Sequence, residues 1–317
     1  MGKMENKGKK GKKGSADKTG KMRSNKSAGF TPIYSPYVDM LPAGFAGTDD
    51  VARSAGPDSP AKAGGPLFVL GGRRPGTNWL HDFATLNGLE TWAIDSGAAA
   101  CRAAGLRPSV IVGDRDSATR EDWQWATSVG AAEHLHDPAK DLTDFQLAVE
   151  LCGRGGKGEA GELAELGEQN RLDEKNKKDK KTEKSCKGRM PILTGCFGGR
   201  TDHFLSILET FSSSCGAKGA ERPRCLIDDS EGIFLLHAED SEEAMELRFR
   251  RLPVAVSLLS LSRRCRGVSI AGVRWPLSDV VLERNFPWSI SNEAQPDETV
   301  SVSCRKGLLA VYWCYYR

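Results

Sequence analysis

Val110-Ile111-Val112-Gly113-Asp114-Arg115-Asp116-Ser117 is the stretch that decides the fold. Three β-branched residues make a short buried strand, Gly113 ends it, and two carboxylates follow two positions apart. In extended backbone, residues i and i+2 point to the same side. Asp114 and Asp116 then offer oxygens to one point just past the carboxyl end of a strand, the edge at which open α/β sheets hold ligands. Convergent carboxylates suit a hard cation such as Mg²⁺, which takes oxygen ligands at about 2.0–2.1 Å and usually holds substrate phosphates as well. A plain turn draws on the same residue types, so these eight residues alone leave both readings open.

The flanking sequence alternates strands with helices. Leu67-Phe68-Val69-Leu70 followed by Gly71-Gly72 reads as a first strand and its turn, and residues 78–89 as a helix carrying Leu80, Phe83, Ala84 and Leu86. Thr91-Trp92-Ala93-Ile94 is a second strand, ended by Asp95-Ser96-Gly97, with a short helix over 98–104. Asp95 thus also stands just after a strand, as ligand or as helix N-cap. A helix over 121–129 and a strand over 132–136 follow. This alternation implies a mainly parallel sheet covered on both faces.

Lys140-Asp141-Leu142-Thr143-Asp144 opens a helix that runs to about residue 152. Asp141 and Asp144, three apart, share one face of its first turn. There they either complement the helix dipole or, with Lys140, serve a metal–phosphate ligand. Residues 153–188, dominated by Gly, Glu and Lys, read as a disordered insertion. Pro191-Ile192-Leu193 resumes a strand. Gly198-Gly199-Arg200-Thr201-Asp202-His203 then leads into a helix over 202–212. Glycines that admit backbone N–H groups and a helix N-terminus form a phosphate cradle, though the stretch matches neither the Walker nor the dinucleotide pattern.

From about residue 224 the texture changes to short strands with turns, at 225–227, 233–237, 254–261, 268–270, 300–303 and 308–313. These predict an antiparallel sandwich or small barrel. The fold class is therefore an α/β domain with a mainly parallel sheet, followed by a C-terminal antiparallel β-domain, a sandwich or a small barrel. The expected division is 1–66 as tail and linker, 67–240 as the α/β domain and 241–317 as the β-domain.

Of 317 residues, 39% are hydrophobic, low for a chain folded end to end. Residues 1–27 hold ten Lys or Arg and two acids (+8 locally, against +3 for the whole chain, hence −5 for the rest). Such a run stays solvated and implies no specific nucleic-acid partner. Residues 28–66, rich in Pro, Gly, Ala and Ser, read as linker. No apolar run approaches the roughly 18 residues of a membrane span, and no secretory h-region follows the basic start. Nine scattered cysteines without a Cys-x-x-Cys pair argue against a disulfide framework or a zinc site and for the cytoplasm.

In this order the motifs resemble one family, the thiamine pyrophosphokinases. The matching residues are Asp95-Ser96-Gly97-Ala98, Gly113-Asp114-Arg115-Asp116-Ser117, Lys140-Asp141-Leu142-Thr143-Asp144 and Gly198-Gly199-Arg200-Thr201-Asp202-His203. Gly272-Val273-Arg274-Trp275-Pro276-Leu277 and Ser289-Ile290-Ser291-Asn292-Glu293 complete the set. The resemblance covers about residues 67–317 except the insertion. It implies transfer of pyrophosphate from ATP to thiamine, giving AMP and thiamine diphosphate, in a homodimer that holds thiamine between the catalytic domain of one subunit and the β-domain of the other. It further implies Mg²⁺ on Asp114, Asp116 and Asp141, with Lys140, Gly198, Gly199 and Arg200 on ATP. Asp95, Asp144 and Asp202 would complete the acidic rim, and Trp275, Ser291 and Asn292 would line the thiamine pocket. Arg115 stands where the family has phenylalanine, and Ser96 where it has glycine. Two other readings fit the same motifs: a pyrophosphokinase for another alcohol such as a pterin, and a catalytically silent thiamine-binding protein.

Overall fold

Short apolar runs become strands wherever the sequence sets them between helices. In the computed structural model, which describes residues 30–45, 65–136, 142–153, 191–213, 224–238 and 241–316, β1 (Ile33–Tyr34) and β2 (Val38–Pro42) come first. Then follow β3 (Leu67–Val69), α1 (Thr77–Leu86), β4 (Thr91–Ile94), α2 (Gly97–Ala103), β5 (Val110–Gly113), α3 (Arg120–Ser128) and β6 (Ala132–Leu135). Next come α4 (Asp144–Gly153), β7 (Ile192–Thr194), α5 (Thr201–Ser212) and β8 (Cys225–Ile227). Strands alone complete the fold: β9 (Glu231–Ala238), β10 (Glu243–Phe249), β11 (Ala255–Ser260), β12 (Arg264–Ala271), β13 (Leu277–Glu283), β14 (Val300–Cys304) and β15 (Gly307–Cys314). The basic tail and nearly all of the 153–188 insertion lie outside the described residues.

A nine-stranded sheet runs β11-β15-β9-β8-β7-β3-β4-β5-β6. From β8 to β6 each neighbouring pair is parallel. β3, β4, β5 and β7 are buried along their whole length, the pattern of strands covered on both faces. β9, β15 and β11 extend this sheet antiparallel. A second, six-stranded antiparallel sheet, β1-β2-β10-β14-β12-β13, shares a core with that extension: Met245, Leu247, Val268, Val300 and Val302 belong to one cluster with Phe234, Leu236, Leu309 and Val311. The expected architecture, a mainly parallel α/β sheet followed by an antiparallel sandwich, is present. Among the described residues no helix is long and apolar enough to cross a membrane.

Two features differ from the sequence reading. One layer of the sandwich is continuous with the parallel sheet, because β9, β15 and β11 belong to both, so a cut near residue 240 divides sequence but not sheet. The stretch expected as linker, 28–66, holds β1 and β2, and β2 pairs with β10 (Met40 opposite Leu247). Asp39 on β2 is buried and takes the Arg250 guanidinium, with Nη1 2.7 Å from Oδ1. Asn87 at the end of α1 binds both backbone groups of Tyr34, accepting at 2.9 Å and donating at 2.7 Å. Prolines at 32, 36 and 42 and an aspartate inside the run hide this segment from a search for apolar periodicity.

Removing one partner of a buried ion pair strands the other charge without water. Arg250→Ala should therefore cost about 3 kcal/mol of unfolding free energy in urea denaturation. A loss below about 1 kcal/mol, the scale of a surface pair, would show that Asp39 does not anchor the N-terminal segment.

Candidate active site

From β3 the chain steps outward through β4 and β5 to β6, then returns to place β7 on the other side of β3. Such a reversal parts the connecting loops at the carboxyl ends of the strands. A cleft of about 420 Å³ opens there. Gly71 and Gly72 line it after β3, Asp95 and Ser96 after β4, Asp116 and Ser117 after β5, and Gly195 after β7. Asp144 enters from the start of α4, and Gly199, Arg200 and His203 from the start of α5. The N-termini of α2, α4 and α5 thus all meet the cleft, an arrangement favourable to anions. Gly195 permits the close approach of the β3 and β7 loops: its φ is 67°, and a Cβ there would strike the carbonyl oxygen of Leu70.

Asp95 is 5% exposed and takes a left-handed φ of 46°. Its carboxylate accepts from the Ser117 hydroxyl and, at 3.2 Å, from the Ala118 N–H. Gly113 makes room for it, since a Cβ at that position would lie 3.0 Å from the Cβ of Asp95. Asp114 Oδ1 accepts the Asp116 N–H at 3.0 Å, and Arg115 between them has a φ of 67°. A tight side-chain-to-backbone turn, rather than extended backbone, therefore gathers the two carboxylates. Ligand oxygens of Asp95, Asp114 and Asp116 all lie within 4.8 Å of one another. Asp114, His136 and Asp144 form a second such group, with His136 Nε2 2.9 Å from Asp144 Oδ1.

Crowding shows in the protonation of these groups. Burial, then the charges of Asp144, Asp116 and Asp114, pushes the Asp95 carboxyl up to about 6. A hydrogen bond shared with Asp114, burial and then the neighbouring charges hold Asp116 above the usual carboxylate range. An all-oxygen cluster whose mutual repulsion awaits a positive charge fits a hard divalent cation.

Of the residues singled out by sequence, Asp95, Asp114, Asp116, Asp144, Gly199 and Arg200 come together. Lys140 and Asp141 lie outside the described residues. Gly198 faces Arg73 instead of the cleft. Asp202 grips Arg200, with Nε and Nη2 donating to its two oxygens at 3.1 and 2.6 Å, so it holds the guanidinium beside the cleft without lining it. Arg115 turns aside, pairing with Glu133 on β6 and stacking 5.0 Å over Trp123; the cation does not enter the acidic cluster. His136 escaped the sequence reading. Its position just past the carboxyl end of β6 was the available signal.

Trp275, Ser291 and Asn292 lie in the sandwich and do not line this cleft. Asn292 clamps Trp275, accepting its N–H at 3.1 Å and donating to its carbonyl at 2.7 Å. The indole is half exposed, with Arg274 stacked at 4.7 Å. Ser291 takes a φ of 59° and donates its N–H to Ser257 on β11. Positive φ in non-glycine residues is costly and concentrates at functional sites; among the described residues five have it, and Asp95, Arg115 and Ser291 fall in three of the motifs.

An acid with a raised folded-state pKa binds its proton more tightly when folded. Its contribution is greatest below the unfolded value and is lost as pH rises through the folded one. The thermal midpoint of the metal-free protein should then fall between about pH 4 and pH 6, and Asp95→Asn should flatten that fall. An unchanged slope in the variant would remove Asp95 as its source.

Comparison with known proteins supplies the remaining observation. The family model for the thiamin pyrophosphokinase catalytic domain matches residues 90–218, and that for the thiamin pyrophosphokinase vitamin B1 binding domain matches 246–309. No curated protein matches the chain by sequence. Among solved structures, thiamine pyrophosphokinase from Bacillus subtilis superposes with a TM-score of 0.56 at 19% identity, covering 79% of this chain and 99% of that one. Thiamin pyrophosphokinase from Candida albicans gives 0.57 at 16% identity over 79% and 89% of the two chains. The yeast enzyme gives 0.57 at 14% over 81% and 88%. At such identities the likeness is one of fold. Together, however, the two models span more than half of the sequence, in the same order as the two parts of the structure, and on that ground the chain belongs to the thiamin pyrophosphokinase family.

Proposed function

We propose that this protein transfers pyrophosphate from ATP to the hydroxyethyl oxygen of thiamine, forming thiamine diphosphate and AMP. The observation that carries this reading is the convergence of Asp95, Asp114 and Asp116 beside three helix N-termini, in a chain that matches both halves of the family. Asp114 and Asp116, joined by Asp95 and by Asp141 from the family motif, would hold Mg²⁺. A bound divalent cation supplies neutralisation of the phosphate oxygens and a template for in-line displacement.

The chain's own groups do the positioning. The Gly199 backbone and the first turn of α5 present N–H groups to phosphate oxygens. Arg200, held by Asp202 in a two-point contact, offers its fork to the same oxygens, and Lys140 adds a point charge. Asp144, paired with His136, lines another wall of the cleft. Little covalent work is asked of the protein, because charge neutralisation and alignment supply most of the rate.

Thiamine would lie on the free face of Trp275, which offers the thiazolium a cation–π contact, with Ser291 and Asn292 beside it. Because these residues stand apart from the acidic cleft, the pocket is completed in a homodimer by the β-domain of a second copy. The exposed side chains of Trp275, Phe286, Trp288 and Ile290 support such a face. The scattered, unpaired-in-sequence cysteines favour the cytoplasm as its place of work.

ATP, Mg²⁺ and thiamine together should yield AMP and thiamine diphosphate. AMP formation with a pterin in place of thiamine would replace the substrate assignment, and thiamine binding without AMP would replace the enzyme assignment. Asp114→Asn should lower kcat by at least about 10³-fold, the scale of losing a principal electrostatic contact in the transition state, with circular dichroism unchanged. Near-normal turnover would end its metal role. Co-expressed Asp114→Asn and Trp275→Ala chains should recover activity that neither has alone; no recovery would argue that each site is built within one chain.

A further inference from the structure

Relative to β3, β15 runs parallel and β11 antiparallel. The end of β11 and the start of β15 therefore lie at the amino edge of the large sheet, opposite the acidic cleft. They are also at the opposite end of β12 from Trp275. Here Ser262, Arg263, Arg264, Arg266, Lys306 and Gly307 line a cavity of about 430 Å³. No carboxylate is in its lining.

The backbone forces these cations together. Arg264 and Arg266 flank buried Cys265 on β12 and so project to the same, solvent side. Arg266 stands directly opposite Lys306 in an antiparallel bridge, closed by N–H to carbonyl bonds of 2.9 and 3.1 Å. Like charges directly opposite across such a pair destabilise it. Arg264 is partly compensated by Glu283 at 2.7 Å, whereas no acidic side chain pairs with Arg263, Arg266 or Lys306 among the described residues. Outside residues 1–27 the chain carries a net −5, so this concentration of positive charge runs against the charge of the body that bears it. Guanidinium forks match phosphate oxygens in pairs. The cations gather at one open, local pocket at a pair of hairpin ends and form no extended track of the kind a nucleic acid backbone would follow.

We propose that this cavity is a second anion site, distinct from the acidic cleft, that binds a small oligophosphate of linked phosphate groups through Arg263, Arg266 and Lys306. The probe is inorganic tripolyphosphate, titrated calorimetrically without divalent metal into the full chain carrying Arg200→Ala and Lys140→Ala, which removes both cations assigned to the acidic cleft. Binding should be seen, should weaken with added sodium chloride, and should fall about tenfold or more on Arg266→Ala or Lys306→Ala, the expected loss of a charge-assisted contact. Arg266→Lys should keep most of the affinity. Lys306→Ala, at an exposed position, should leave the unliganded protein at least as heat-stable as before, which separates loss of charge from loss of fold. Absence of tripolyphosphate binding, affinity unchanged in both alanine variants, or a DNA duplex that binds and is not displaced by tripolyphosphate would each overturn the assignment.

Discussion

Mutual repulsion among carboxylates is the constraint on which the functional end of the molecule depends. Asp95, Asp114, Asp116 and Asp144 come from two loops and a helix start, and burial together with their proximity raises the cost of charging Asp95 and Asp116. Backbone geometry sustains the arrangement. Asp95 and Arg115 sit in left-handed conformations, and the bare Cα of Gly113 lets the Asp95 side chain cross over the end of β5. The buried sheet beneath, with Phe68, Trp92, Ile94, Val112 and Leu193 in one core cluster, holds those loop ends still. The site's strain is thus borne by strands that have no other freedom.

A second network secures the cleft from its other side. Arg73, directly after the two glycines that follow β3, donates to Asp228 and Glu231 at 2.7 Å each. Glu231 also accepts from the hydroxyls of Tyr312 and Tyr316. One carboxylate on β9 therefore joins the loop after β3 to β15 and to the residues after it. Asp228 is fully buried and accepts two backbone N–H groups besides the arginine, so the ion pair carries the compensating hydrogen bonds that burial demands.

The parallel half of the fold was legible because its strands are uninterrupted apolar runs punctuated by glycine and aspartate. The strand Val110–Gly113 and the helices α4 and α5 were readable without tertiary information. Their starts differ, however: α4 begins at Asp144, where Thr143 accepts the Gln146 N–H, and not at the expected Lys140-Asp141. α5 begins at Thr201, one residue before the expected start. β10 and β13 were not legible. β10 carries Glu243, Glu246 and Arg248 within seven residues, and Glu243 is satisfied by groups outside its own strand, Arg224 at 2.8 Å and the His237 N–H at 2.8 Å. β13 is an edge strand with Ser278 and Asp279 exposed, and such edges keep polar residues to avoid stray pairing. The acidic motifs could be read as a set, but the role of Asp202 as keeper of Arg200, and the diversion of Arg115 onto Glu133 and Trp123, are set by side-chain contacts that no spacing rule encodes.

The pairing of Met40 with Leu247 has a kinetic corollary. Two strands some two hundred residues apart along the chain must find each other before the second sheet has its full width. Contacts of such long sequence separation slow folding, because the entropy of closing a long loop is lost before any pairing energy is gained. That loss grows only with the logarithm of loop length, so the glycine- and lysine-rich interruption between α4 and β7 adds little to a search that is already long.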